Sequence, residues 1–230
     1  VTSDPEREPG AWRVAAGTCL ILYFAVLLAA NSDVAGGSDS SGYLNAARLF
    51  LRGRVSEPSE ILRRLSLPAS DRDIFIPLGF RPGAAGGTMA PRYPPGLPLH
   101  MAAAAAVGGW SKAPFLVVPF SGAAALLLLF LLARELGLSR ELSAAGGALL
   151  AACPIFFGMA VQPMSDVVAT AWVLAALLLG LKARRSAGAA IAAGAALGVA
   201  VLVRPTNFLD VAGRDRLSRR EPPGRSDGAP

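Results

Sequence analysis

Two carboxylates in this sequence stand where an oily run meets polar chain: Asp39, in "GGSDSSGYLNAARLFLRG", and Asp166, in "QPMSD". An aspartate so placed can take the proton of a hydroxyl as that hydroxyl attacks, an effect typically worth about 10²–10⁴-fold. Arginines occur near the same kind of boundary, Arg92 in "PRYPPGLPLHMAA" and Arg204 in "RPTN". A guanidinium stays charged and its fork matches phosphate oxygens, so it can stabilise charge growing on a departing phosphate. Asp39 and Asp166 are the candidate catalytic residues, and Arg92, Tyr93, His100, Arg204 and Tyr43 the candidate substrate-binding ones. Each residue also has a plainer role. Asp39 and Asp166 could cap helices, Arg92 could be a solvated loop charge, and Arg204 could anchor a helix end to headgroups. Tyr43 and Tyr93 suit interfacial anchors, and a lone histidine such as His100 is commonly structural. One histidine is too few for a histidine-based metal site. No cofactor is implied, and a divalent ion held by carboxylates stays open.

What positions these groups is a membrane. Of 230 residues, 53% are hydrophobic and only 17% charged, and the mean hydropathy is +0.48, which excludes an ordinary soluble domain. The fold class expected is an all-α, polytopic helix bundle. Five segments approach the ~20 residues a membrane-crossing helix needs: 12–30, 115–133, 143–161, 164–181 and 187–203. The first exceeds a signal peptide's apolar core of roughly 7–15 residues and reads as a retained span. The net charge of +6 lies mostly in short clusters between apolar runs, with no aromatic-interleaved basic stretch, so nucleic acid is not an expected partner. Cys19 and Cys153 fall inside apolar runs and read as small buried hydrophobes.

Whether the shorter stretch 97–110 crosses decides which residues share a side. If it does not, Arg134, Arg140, Lys182, Arg184 and Arg185 lie inside the cell, as the positive-inside bias prefers. It is therefore taken as a re-entrant or interfacial helix, tolerable only if packed against protein. Asp39, all of 31–114, 162–166 and 204–207 then share the outer side. Within that long outer loop, Tyr43, Ala47, Phe50 and Leu51 recur at helical spacing, predicting an amphipathic helix over 40–53 lying on the bilayer surface. Residues 59–66 predict a second short surface helix. The Gly- and Pro-dense stretch 76–98 predicts irregular loop.

Taken together, "SDSSGYLNAARLFLRG" after the first span, "PRYPPGLPLHMAA", "QPMSDVVATAWVLAALLL" and "LGVAVLVRPTNFL" resemble the N-terminal half of a GT-C glycosyltransferase. The group resembled is that of the protein-mannosyltransferase and aminoarabinose-transferase-like enzymes, and the likeness covers residues 12–209 in order. It implies a bacterial inner or plasma membrane enzyme that transfers a sugar from a polyprenyl-phosphate donor to a lipid, glycan or protein acceptor at the outer face, with inversion. It also implies roles by position: Asp39 as the acid after the first span, Asp166 as the second acid lining the site, 91–98 as the Pro-rich outer motif and Arg204-Pro205 as the Arg-Pro after the fifth span. Arg92 and Tyr93 stand before Pro94-Pro95, where several relatives place a lysine or histidine that contacts donor phosphate. Asp39 is followed by Ser40, where many relatives carry an acidic pair.

Past Leu209 the apolar pattern collapses into "DVAGRDRLSRREPPGRSDGAP", a low-hydrophobicity tail over 210–230 expected to be disordered and non-native. Such a break is what a fragment or a shifted reading frame would produce, and relatives of the family are longer. Two other functions fit the composition: a transporter or flippase for a lipid-linked substrate, and an inactive membrane scaffold. The mid-span positions are nearly free of the ionisable groups a transporter tends to carry there.

Overall fold

The structure, a computed structural model, describes residues 9–65, 69–84, 86–183 and 186–207. It is mostly helical. Helix α1 spans Pro9–Ala30, α2 Ser38–Leu51, α3 Glu60–Arg64, α4 Gly96–Gly108, α5 Ala113–Glu135, α6 Arg140–Ala152, α7 Pro154–Ala160, α8 Ser165–Lys182 and α9 Ala187–Val203. The expected tail at 210–230, and Arg184 and Arg185, lie outside the described residues.

Local chemistry sets where these helices start and stop. Pro114 occupies the first turn of α5, where its missing N–H costs nothing. The same helix ends on Gly137, at φ 87°, with Leu138 N–H donating to Ala133 O at 3.1 Å, a glycine-terminated cap. Ser139 and Ser186 cap α6 and α9 by accepting from the N–H groups of Leu142 and Ala189.

Two helices, α5 and α8, are each long and apolar enough to cross a membrane. A third candidate arises if α6 and α7 are taken together as one broken span. The continuous helix expected over 143–161 is not found: the axes of α6 and α7 meet at 68°. Pro154 has no N–H to continue α6, and its ring drives Cys153 to extended backbone, φ −68° and ψ 117°. Helices α4 and α9 are apolar but shorter, and α1 is apolar over Val14–Ala30.

The core lies along α5. Leu27 of α1, Met101 of α4, Val118 of α5 and Val167 and Val168 of α8 are fully or almost fully buried around it. Outward, Ile21, Leu22, Leu127, Leu149 and Ile191 are exposed. In lipid, apolar area alone does not hold helices together, and close packing of small side chains takes over. The buried Ala125, Ala160, Ala171, Ala176, Ala193, Ala196 and Ala200 supply it.

The segment between α1 and α5 differs from expectation in two ways. Residues 76–98 are not all irregular. Strands β1 (Glu57–Pro58), β2 (Phe80–Pro82) and β3 (Thr88–Pro91) form a small antiparallel sheet in the order β1-β3-β2, with Glu57 opposite Met89 and Arg81 opposite Ala90. Strands of two to four residues are too short for alternation to show in sequence. The second difference concerns α2. Its apolar face is not left to lipid: it packs on α4, burying Tyr43, Leu44, Ala46, Ala47 and Leu49. Helix α4 is in turn packed between α2, α5 and α9, the protein cover that a re-entrant helix requires. Helix α3 carries no buried residue and is held locally by Ser59, which accepts from Leu62 N–H, and by Glu60 with Arg63 and Arg64.

Candidate functional site

The helix ends that the sequence grouped together do meet. Ser32 N–H donates to Val161 O at 2.8 Å, tying the end of α1 to the end of α7. Asn31 Nδ2 donates to Phe115 O at 3.3 Å, at the start of α5. Tyr43 Oη, from α2, donates to Ser165 Oγ at 3.1 Å, at the start of α8. Arg204, just past α9, pairs with Asp166 of α8. The opposite end of the bundle holds the turn at 136–137 and the C-terminal end of α8.

Between these ends lies a cavity of about 390 Å³ lined by Asp39, Tyr43, Pro94, Met159, Met164, Ser165, Asp166, Val203 and Arg204. Asp39 and Asp166, 127 positions apart in sequence by their numbers, therefore face one space. Neither is a helix cap. Gly37 and Met164 occupy the capping positions of α2 and α8, without side-chain capping bonds, and each aspartate is the second residue inside its helix. Both carboxylates thus sit beside the partial positive charge of a helix N-terminus, which favours a negative group. Their capacity to accept hydrogen bonds is used elsewhere.

For Asp39 it is used by Tyr93 and Ser38. Tyr93 Oη donates to Asp39 Oδ1 at 2.6 Å, and Ser38 Oγ donates to the same oxygen at 3.2 Å. The carboxylate accepting the phenolic proton pushes the Tyr93 pKa above that of an ordinary phenol, and burial adds to the rise. Two glycines seat that ring. A Cβ on Gly42 would fall 2.4 Å from Tyr93 Cε2, and one on Gly79 would fall 2.5 Å from the Gly42 Cα. Gly79 is also at φ 89°, a left-handed conformation that a side chain strains. The Tyr93 ring lies against Tyr43, centroids 5.1 Å apart. So Tyr43 is not an interfacial anchor: it is buried, with its hydroxyl spent on Ser165.

For Asp166 the partner is Arg204. About 45% of the arginine's side-chain surface and 37% of the aspartate's stay exposed, so the pair contributes no more than about 1 kcal/mol to stability. Its placement depends on Gly96. A Cβ there would fall 2.3 Å from Val203 N and 2.5 Å from Leu202 C, so α4 touches the backbone of the last turn of α9 directly. Arg204 is the next residue.

The other expected site residues are not brought into the cavity. Arg92 is exposed outside its lining. His100 accepts at Nε2 from Trp172 Nε1–H at 2.9 Å, which leaves the proton on Nδ1, 2.7 Å from Gly96 O. Both ring nitrogens are occupied, and the ring ties α4 to α8. Residues that the sequence reasoning passed over are Ser38, Ser165, Met159 and Met164. Ser-Asp opens both α2 and α8, at 38–39 and 165–166, but the same pair stands also at 32–33, 70–71 and 226–227, so the sequence carries no signal that singles out these serines. Among the described residues, no three His, Cys, Asp or Glu side chains gather at one point.

Chemically, the cavity offers two carboxylates, one arginine and thioether and aliphatic walls. Comparison with protein-family models, with curated proteins and with solved structures finds no match to this chain.

Proposed function

We propose that the chain is a polytopic membrane protein whose cavity transfers a sugar from a polyprenyl-phosphate donor to an acceptor hydroxyl at the outer membrane face. The observation that carries the proposal is the convergence of Asp39, Asp166 and Arg204 on one cavity, at the end of the bundle where α5 and α8 begin. A lipid-linked donor needs such a placement, because its reactive phosphate lies at the membrane surface while its chain stays in the hydrocarbon. The Met159, Met164 and Val203 walls suit the start of that chain.

In this reading the acceptor oxygen attacks the anomeric carbon from the side of Asp39 and gives its proton to the carboxylate. The bond from that carbon to the phosphate oxygen breaks, with its electron pair leaving on the phosphate, and the configuration inverts. Arg204 stabilises the charge that develops there. Its pair with Asp166 is weak enough to open when a phosphate competes for the guanidinium. Tyr93 and Ser38 hold Asp39 by Oδ1, which leaves Oδ2 for the acceptor.

The test is sugar transfer by membranes bearing the protein, supplied with a panel of polyprenyl-phosphate-linked sugars. Asp39→Asn is expected to lower transfer about 10²–10⁴-fold and Arg204→Gln about 10²–10³-fold, with insertion unchanged. Transfer by Asp39→Asn at the parent rate would remove the carboxylate from the mechanism. Movement of the lipid-linked sugar across the bilayer without covalent transfer would replace the enzyme by a flippase.

A further inference from the structure

The end of α2 carries a second feature, away from the cavity. The Arg48 guanidinium carbon lies 4.9 Å from the centroid of the Trp110 ring. Stacking on a ring fixes the plane of a guanidinium and leaves the N–H groups on its edge free, in the fork that grips phosphate oxygens. Lys112 is two residues beyond Trp110, and Arg52 is one helical turn beyond Arg48. All three basic side chains are exposed, and among the described residues no carboxylate pairs with them. Arg63, Arg64 and Arg204, by contrast, each have one.

Depth is set by α5. It begins at Ala113, and with a mean hydropathy of 2.6 it is more apolar than α8 at 1.6. If α5 crosses, Trp110 and Lys112 lie in the headgroup layer, where tryptophan is enriched, and the stacked Arg48 is held at the same level. Apolar side chains accompany the cluster: Val107 is 93% exposed and Leu51 42% exposed. Cations in the phosphate layer with apolar groups beside them match an amphiphile carrying a negative head.

We infer that Arg48, Trp110 and Lys112 form a binding site for the headgroup of an anionic phospholipid of the bilayer, outside the Asp39–Asp166 cavity. The site rests on the membrane reading of α5 and not on sugar transfer. Each cation near an anionic surface contributes about a fivefold gain in affinity.

The experiment is native mass spectrometry of the full chain released from mixed phosphatidylglycerol and phosphatidylcholine nanodiscs. The parent protein is expected to retain phosphatidylglycerol preferentially. Arg48→Gln and Lys112→Gln should each cut that preference about fivefold, whereas Arg140→Gln, at the other end of the bundle, leaves it intact. Both substitutions fall on exposed side chains, and thermal unfolding in phosphatidylcholine alone should be unchanged. Equal retention of the two lipids by a chain that resists alkaline extraction from membranes would overturn the site alone. Release of the chain by alkaline extraction would overturn the membrane reading with it. Displacement of phosphatidylglycerol by an equimolar polyprenyl phosphate would overturn the phospholipid assignment, by giving the cluster to the donor.

Discussion

Replacing Gly42 by alanine should destabilise this protein, although the same change inside an ordinary helix stabilises. Gly42 lies within α2, where alanine is better than glycine by about 0.8–1 kcal/mol. Against that gain, the new Cβ would meet Tyr93 Cε2 at 2.4 Å, Tyr93 Cδ2 at 2.5 Å and the Gly79 Cα at 3.0 Å. Comfortable carbon contacts begin near 3.5 Å, so the ring must retreat by about 1 Å. A retreat of that size along the 2.6 Å bond from Tyr93 to Asp39 takes it beyond hydrogen-bonding distance. Overpacking costs about 1–3 kcal/mol, and a hydrogen bond to a charged group is worth about 1.5–3 kcal/mol, less here because Tyr93 is only half-buried. The net is a loss of about 1–3 kcal/mol, a fall in Tm of several degrees. Thermal unfolding in detergent gives the sign, and ultraviolet titration of the phenolate reports whether Tyr93 has left Asp39. A variant as stable as its parent, with Tyr93 titrating unchanged, would refute the seating of Tyr93 by Gly42.

The Tyr93–Asp39 bond has its own pH signature. The folded pKa of Tyr93 is raised above the unfolded phenol, so the bond's contribution is complete below about pH 10 and drains away as pH rises through the folded value. Asp39→Asn should return the Tyr93 titration toward that of a free phenol, and a persistent elevation would assign it to burial instead. Gly96→Ala should force α4 off the last turn of α9, because the atoms it would strike are backbone and cannot swing aside. A Tm loss of several degrees is expected, together with loss of the Arg204–Asp166 coupling in a double-mutant cycle. Tyr43→Phe removes a buried hydroxyl partner from Ser165 and should cost about 1 kcal/mol in unfolding free energy.

Much of the helical framework was readable before any coordinates. Long apolar runs, the bases at 134–140 and 182 and the acids after the first and third runs suffice to sort chain ends into two groups, and the structure gathers 31–32, 96, 161–166 and 204 at one end. What composition could not show was contact between backbones. Gly42 against Gly79 and Gly96 against Val203 are recorded in sequence only as small residues, yet they set Tyr93 and Arg204. The break at Cys153–Pro154 was visible as a proline but was hidden by the unbroken hydrophobicity around it. Asp39 and Asp166 looked like caps because aspartate favours that position. Each is instead the second residue of its helix, and its partner, Tyr93 or Arg204, arrives from a distant segment. His100 stood out as the sole histidine. Its partner Trp172 is 72 residues away, beyond the reach of any local pattern.

The most direct trial of the proposed outward-facing site is membrane-impermeant thiol labelling of intact cells, in a background with Cys19 and Cys153 changed to alanine. Asp39→Cys and Asp166→Cys should both label from outside, and Gly137→Cys only after the membrane is opened. Labelling of positions 39 and 166 from opposite faces would contradict a shared site, and labelling of both only from within would contradict an outward one.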